Sequence, residues 1–147
     1  MKSAPAKIVA RFRDGRVWKG HTINFQPDGI AFDLRLLDSD EDDEPARVRL
    51  TELKAVFFVK DFDGNPQHNE QSEFPAAFTG RRMQVRFHDG ESITGTTFGY
   101  DAARDGFFLF PADPASNNLK IYVLFGAVKE VVRLKHGVAA KPRLSPR

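Results

Sequence analysis

Few side chains in this 147-residue chain belong to the types that do covalent or metal chemistry. It has no cysteine, which removes thiol nucleophiles, disulfides and thiolate metal ligands together. The four histidines, His21, His68, His88 and His136, share no ligand spacing, so neither a zinc site nor a nucleophile pair is expected from them. Asp61-x-Asp63-Gly64-Asn65 offers calcium-like oxygens, but its glycine comes too early and Ser72 stands where an EF-hand loop needs a bidentate glutamate. That segment reads as a turn. Acid–base catalysis needs paired groups that converge, and no such pair is visible along the chain. The expectation is a protein that is not an enzyme, with no catalytic residue, no metal and no cofactor.

The charges are more informative than the net of +2. An acidic run, DSDEDDE from Asp38 to Glu44, places Asp40, Glu41, Asp42 and Asp43 in succession. It reads as a solvated loop, or as a docking loop for a basic partner. The final stretch from Arg133 carries Lys135, Lys141, Arg143 and Arg147 with no acid, and its Pro, Gly and Ala content argues against packing. Together with Arg81, Arg82 and Arg104 it supplies the cations of an alternative reading, a nucleic-acid-binding module that grips phosphates without reading bases. No apolar run approaches a membrane span and MKSAPAKIV lacks the apolar core of a signal peptide, so a cytoplasmic protein without membrane contact is expected.

What must hold these groups in place is a repeated framework. ARFRDGRVWKG (10–20) reappears as VRFHDGESITG (85–95), with Phe12 on Phe87, Asp14-Gly15 on Asp89-Gly90 and Gly20 on Gly95, a shift of 75 residues. The match runs on through Phe25 on Tyr100, Phe32 on Phe107, Leu34 on Leu109 and Asp38 on Asp113. Further along, Ala55-Val56 answers Ala127-Val128 at a shift of 72, which implies that the second copy has a loop three residues shorter. Each copy opens with a period-two strand, as in KIVARFRD, and turns on an Asp-Gly dipeptide suited to a tight hairpin. A second strand follows, interrupted by Gly20 or Gly95, where a bulge or bend would curl the sheet. Strands are expected at Phe32 to Leu36 and Phe107 to Phe110, at RVRL and KIYVL, and at AVFFV and AVKEVV, with a single helical turn before the last strand of each copy. Strong curling of five strands implies a small barrel, so the expected fold is all-β: two tandem five-stranded barrels over 5–60 and 81–133, an acidic linker over 61–80 and a basic flexible tail over 134–147. Trp18 and Ile93 should both face inward.

This strand order resembles the SH3-like barrels and, through V-x-F-x-D-G-x4-G, Tyr100-Asp101 and the closing VLFGAVKEV, the Sm-like proteins; it also looks like a duplicated, uncharacterised bacterial domain family. The Sm resemblance implies an RNA pocket built from Asp-x-x-x-Asn and a closing Arg-Gly. Here Asp101 is followed by Ala103 at the stacking position and Asp105 in place of the amide, with Phe125-Gly126 in the closing turn, while the first copy has Gln26, Asp28 and Ile30, then Leu53-Lys54. Neither copy keeps an aromatic platform or the amide donor, so the pocket is not expected to persist. Arg82-x-x-x-Arg86 with Ser92-x-x-Gly95 is similar to the PilZ cyclic-dinucleotide signatures, but Gly90 stands where those need Asp or Asn.

By elimination the expected function is a protein-interaction scaffold or adaptor whose partner is another protein. Phe110 and Tyr122 are the candidate exposed aromatic anchors and Asp40 to Asp43 the candidate polar contacts. The copies differ mainly at exposed positions, with Arg16 against Glu91, Lys19 against Thr94 and Arg35 against Phe110. That divergence suits one composite surface better than two equal sites. Whether the chain forms a homo-oligomer is left open by the sequence.

Overall fold

Ten strands follow one another with two short 3-10 turns and no other helix among the residues that the computed structural model describes, 5–64, 67–70, 80–99 and 104–134. The first half holds β1 (Ala6–Phe12), β2 (Val17–Thr22), β3 (Ala31–Leu36), β4 (Ala46–Arg49) and β5 (Leu53–Val59); the second holds β6 (Arg81–Phe87), β7 (Ser92–Thr97), β8 (Gly106–Pro111), β9 (Asn118–Leu124) and β10 (Val128–Arg133). The turns Leu50–Glu52 and Phe125–Ala127 precede the last strand of each half, as the sequence leads one to expect. No helix among the described residues is long and apolar enough to cross a membrane.

The Asp-Gly hairpins form for the anticipated reason. Gly15 and Gly90 sit at φ of 99° and 96°, a region that only glycine enters without strain. Asp14 Oδ1 accepts the Arg16 N–H at 3.0 Å, and Asp89 Oδ1 accepts the Glu91 N–H at 2.9 Å, closing the same turn twice.

The expected shift of 72 in the closing strands does not hold. Phe12 pairs with Leu53 as Phe87 pairs with Val128, and Arg11 with Ala55 as Arg86 with Glu130, with the register broken at the same place in both ladders. The shift is therefore 75 from the first strand to the last. The counterpart of Ala55 is Glu130, not Ala127, and the two halves have loops of equal length. The Ala-Val match was a coincidence of composition between a strand and a turn.

Two separate closed barrels are also not what the ladders form. All ten strands belong to one antiparallel sheet in the order β10-β6-β7-β8-β9-β5-β1-β2-β3-β4, which is open, with β10 and β4 at its ends. The halves meet where β5 pairs with β9, Val56 opposite Tyr122 and Phe57 opposite Ile121. Two cores result. One gathers Ile8, Ala10, Phe12, Phe32, Leu34, Val56 and Phe58 with Tyr122 and Leu124; the other gathers Val85, Phe87, Phe107, Leu109, Ile121 and Val123 with Val9, Ala55 and Phe57. Alternate residues of β5 and of β9 serve different cores, so the two cores lie on opposite faces of the shared strands. That is why every residue of β5 is buried and why its sequence, Lys54 apart, reads as an apolar run. Trp18 and Ile93 are partly buried, each packed on its own half's core.

Gly20 and Gly95 are needed, but not for a bulge, since β1 and β2 keep register through Gly20 and β6 and β7 through Gly95. A Cβ at Gly20 would lie 2.2 Å from the Arg35 carbonyl oxygen, and one at Gly95 2.3 Å from that of Phe110. In each half the third strand crosses the second too closely for any side chain.

Candidate interaction site

Beyond the end of β7 the chain leaves the sheet with Phe98 pointing to solvent, 68% exposed. Its ring packs over Gly80, where a Cβ would come within 2.8 Å of it, and tilts against Phe110 at a centroid distance of 5.6 Å. Along β8, Phe108 meets the Tyr122 ring edge-on at 5.0 Å. Gly106 lets that tyrosine lie flat against the sheet, since a Cβ there would meet Tyr122 carbons at 2.9 and 3.0 Å. The first half supplies the remaining wall: the Tyr122 hydroxyl donates to the Pro27 carbonyl at 2.8 Å, across 95 residues of sequence. Burial holds the Tyr122 phenol above its usual pKa, which keeps it a donor.

Together Pro27, Phe98, Arg104, Phe108, Phe110 and Tyr122 line a cleft of about 590 Å³. Behind it Phe25 holds the halves together, its ring 5.4 Å from both Phe58 and Tyr122, while the Lys120 ammonium sits 4.9 Å from Phe58 and 4.8 Å from Phe108. Among the described residues the lining has aromatic faces, one exposed cation in Arg104 and no acid, with Asp28 and Asp105 near enough to act on the Tyr122 phenol. Such a surface takes an apolar or prolyl side chain by stacking and a carboxylate by charge.

The same shift of 75 residues finds a second cleft in the first half, about 390 Å³, lined by His21, Ile23, Asn24, Asp33, Arg35 and Pro45 among others. Phe98, Phe108 and Phe110 correspond there to Ile23, Asp33 and Arg35. Asp33 is tied up: its carboxylate accepts from the Asn24 amide at 3.0 Å and from Arg47 at 3.2 Å. One scaffold thus presents one aromatic cleft and one in which aliphatic residues, Ile23 and Pro45 among them, are mixed with charged ones.

The sequence-derived candidates fall in several places. Phe110 is half-buried in the aromatic cleft. Tyr122 is not an exposed anchor: it is 2% exposed, because β5 and the Pro27 loop of the other half cover it. Asp40, Glu41, Asp42 and Asp43 are exposed in the β3–β4 loop, where Arg35 donates to the Asp43 carbonyl at 2.9 Å and Asp43 caps the Asp40 N–H. Arg81 is exposed at the start of β6 and Arg104 at the cleft, but Arg82 is 6% exposed, inside β6, and cannot reach a phosphate from there. Lys135, Lys141 and Arg143 lie outside the described residues, as do Asp101 and Ala103 of the Sm-type RNA positions, whereas Asp105 is exposed just before β8.

Two features escaped the sequence. Phe98 is the most exposed aromatic of the cleft among the described residues; its counterpart Ile23 is 77% exposed, so an apolar residue past the second strand of both copies was the available signal. His68, Glu70 and Asp113 also converge, with His68 Nε2 2.7 Å from Asp113 Oδ2 and one ligand atom of each within 4.8 Å of the others. One nitrogen and two carboxylates are a donor set a divalent cation can use. Asp113 is already engaged, however, accepting the Ala115 N–H at 2.9 Å as well as the histidine, and burial holds the Glu70 carboxyl above its usual pKa. The contact serves to fasten residues 67–70 to the β8–β9 loop.

Comparison with known proteins finds no curated protein and no solved structure that matches this chain. The duplicated sheet and its composite cleft nevertheless have a place, because the family model described as "Family of unknown function (DUF6982)" matches residues 4–135, both halves of the sheet at once, and the chain belongs to that family.

Proposed function

We propose that this protein is a non-enzymatic interaction scaffold of the cytoplasm, which captures an extended segment of another protein in the aromatic cleft. The observation that carries this reading is the exposure of Phe98 beside Phe110 in a cleft walled by both halves. An exposed phenyl ring resting on a half-buried one costs solubility, and its presence at one cleft but not at the counterpart, where Ile23 and Arg35 hold those places, suits a binding surface. Rows of aromatic rings favour a segment already extended, with proline or an aliphatic side chain between the rings and an acidic residue near Arg104. Each half, with its strands in the order fifth, first, second, third, fourth, is in this reading an SH3-like unit that shares strands with its neighbour.

The test is Phe98→Ser, an exposed change whose effect on folding should stay within about 0.5 kcal/mol. Wild-type protein should select proline- or aromatic-containing acidic peptides from a displayed library, and the variant should lose that selection. Retention that depends on nucleic acid, collapsing on nuclease treatment or between low and physiological salt, would replace this reading with the phosphate-gripping one.

A further inference from the structure

Shifting the sheet along itself by 75 residues lays β10-β6-β7-β8-β9 over β5-β1-β2-β3-β4. β5 and β10 are then counterparts, and so are β4 and β9. The junction inside the chain is β5 against β9, with Ala55 opposite Val123, Val56 opposite Tyr122 and Phe57 opposite Ile121. The two strands left at the ends of the sheet are β10 and β4, the counterparts of that same pair. We infer that a second copy of this chain docks head to tail, its β4 on β10 of the first, in the register of the internal junction: Glu130 opposite Val48, Val131 opposite Arg47 and Val132 opposite Ala46.

The charges at the two ends favour that occupant. Where the chain leaves β5, Lys60 N–H donates to the Asn117 carbonyl at 2.8 Å, and the Asn117 side chain takes the Asp61 N–H at 3.1 Å while donating to its carbonyl at 2.8 Å. The shift turns Asn117 into Asp42 and Lys60 into Lys135. The run Asp38 to Glu44, six acids among seven residues, therefore lies beside the end of a neighbour's β10, where Arg133 is exposed, and the sequence after β10 is opposite in sign, with no acid. Within one chain β10 and β4 are the two ends of the sheet with eight strands between them, so the match is between copies. Such a contact is heterologous and builds rings or lines.

The intermolecular junction is weaker than the internal one. Val132 and Arg133 replace Phe57 and Phe58, and Pro45, in the place of Lys120, shortens the ladder. Basic residues and proline are also what edge strands use to avoid indiscriminate pairing. Association should accordingly be concentration-dependent and weakened by salt. It is independent of what occupies the aromatic cleft.

The chain has no cysteine, which allows a clean test on the full-length protein. Ala46→Cys and Val132→Cys, mixed and mildly oxidised at low salt, should give a covalent dimer that neither variant gives alone. Arg47→Cys with Val131→Cys, the neighbouring matched pair, should do the same, whereas Ala46→Cys with Glu130→Cys, out of register, should not. Reversing Asp40, Asp42 and Asp43 to Lys should cut the yield by about tenfold, a change of 1.4 kcal/mol in association. Circular dichroism checks that each variant keeps its sheet. Folded variants that fail to cross-link in both matched pairs, dimers formed by one variant alone, or equal yields from matched and mismatched pairs would each overturn the inference.

Discussion

Gly95→Ala adds one methyl group at the point where β8 crosses β7. The new Cβ would sit 2.3 Å from the Phe110 carbonyl oxygen, 2.9 Å from its carbon and 2.9 Å from the Leu109 side chain, so backbone must move by the better part of an ångström. The β7–β8 ladder has only two residue pairs, Gly95 with Pro111 and Thr96 with Phe110, and both lie at the clash. Losing one or two of their hydrogen bonds costs about 1 kcal/mol each, and forcing the packed strands apart about 1 to 3 more. A total loss of about 2 to 4 kcal/mol is a large share of the roughly 5 to 15 that a domain has. Thr94→Ala, a half-buried neighbour without that contact, is the control. Urea melts should be followed by circular dichroism for the whole sheet and by fluorescence of Trp18, the single tryptophan, which reports the first half. Because β5 and β9 belong to both cores, Gly95→Ala should move both signals together although Trp18 is in the other half. A loss no larger than that of Thr94→Ala would refute the close crossing; a Trp18 transition left unmoved would refute the coupling of the halves.

Lys54, on β5, reaches the β6–β7 turn of the other half, with its ammonium 2.7 Å from Asp89, against Glu91 and 4.7 Å from the centre of the Phe87 ring. Its side chain is largely buried but both acids are half exposed, so Lys54→Met should cost about 1 to 2 kcal/mol at neutral pH rather than the 3 to 5 of a fully buried pair. The hydrogen bond from Lys54 holds the Asp89 carboxyl below its usual 3.8; that contribution is present above the unfolded value and is lost as pH falls through the folded one, so the gap between wild type and Lys54→Met should close on acidification below about pH 4 in melts run at several pH values. Tyr122→Phe removes the bond to Pro27 and should cost about 1 kcal/mol, with faster amide exchange over residues 23–30; unchanged exchange would mean that the loop is held otherwise. Trp18→Ala should cost about 2 to 3 kcal/mol by denaturant melt, less than a fully buried tryptophan, and a loss under 1 would make Trp18 a surface residue.

Strands, hairpins and the turns before the last strands were legible because they are written locally, in period-two alternation, Asp-Gly dipeptides and a repeat that keeps Phe12 and Phe87 in step. What was not legible depends on residues far apart. Tyr122 is a candidate exposed anchor by residue type; it is buried because β5 arrives from the other half. Two barrels were expected because each copy has five strands, and nothing local in AVFFV names its second neighbour. The last register was misread because Ala-Val occurs twice, whereas the structural counterpart of Ala55 is a glutamate. Of the cleft, Phe110 was found through its divergence from Arg35, and Phe98 was missed although it and Ile23 hold matching places. His68 and Asp113 meet across 45 residues, beyond any spacing rule.

The double-sided burial of β5 bears on how the molecule can be taken apart. A fragment ending after the first half would carry as its last strand seven consecutive residues, LKAVFFV, buried on both faces in the intact chain. Deprived of β9, that strand becomes a bare apolar edge, the template on which strangers add. The second half alone would unveil Ile121, Tyr122 and Val123 in the same way. A truncation midway is therefore expected to leave each piece with an apolar strand that its partner covers in the intact chain.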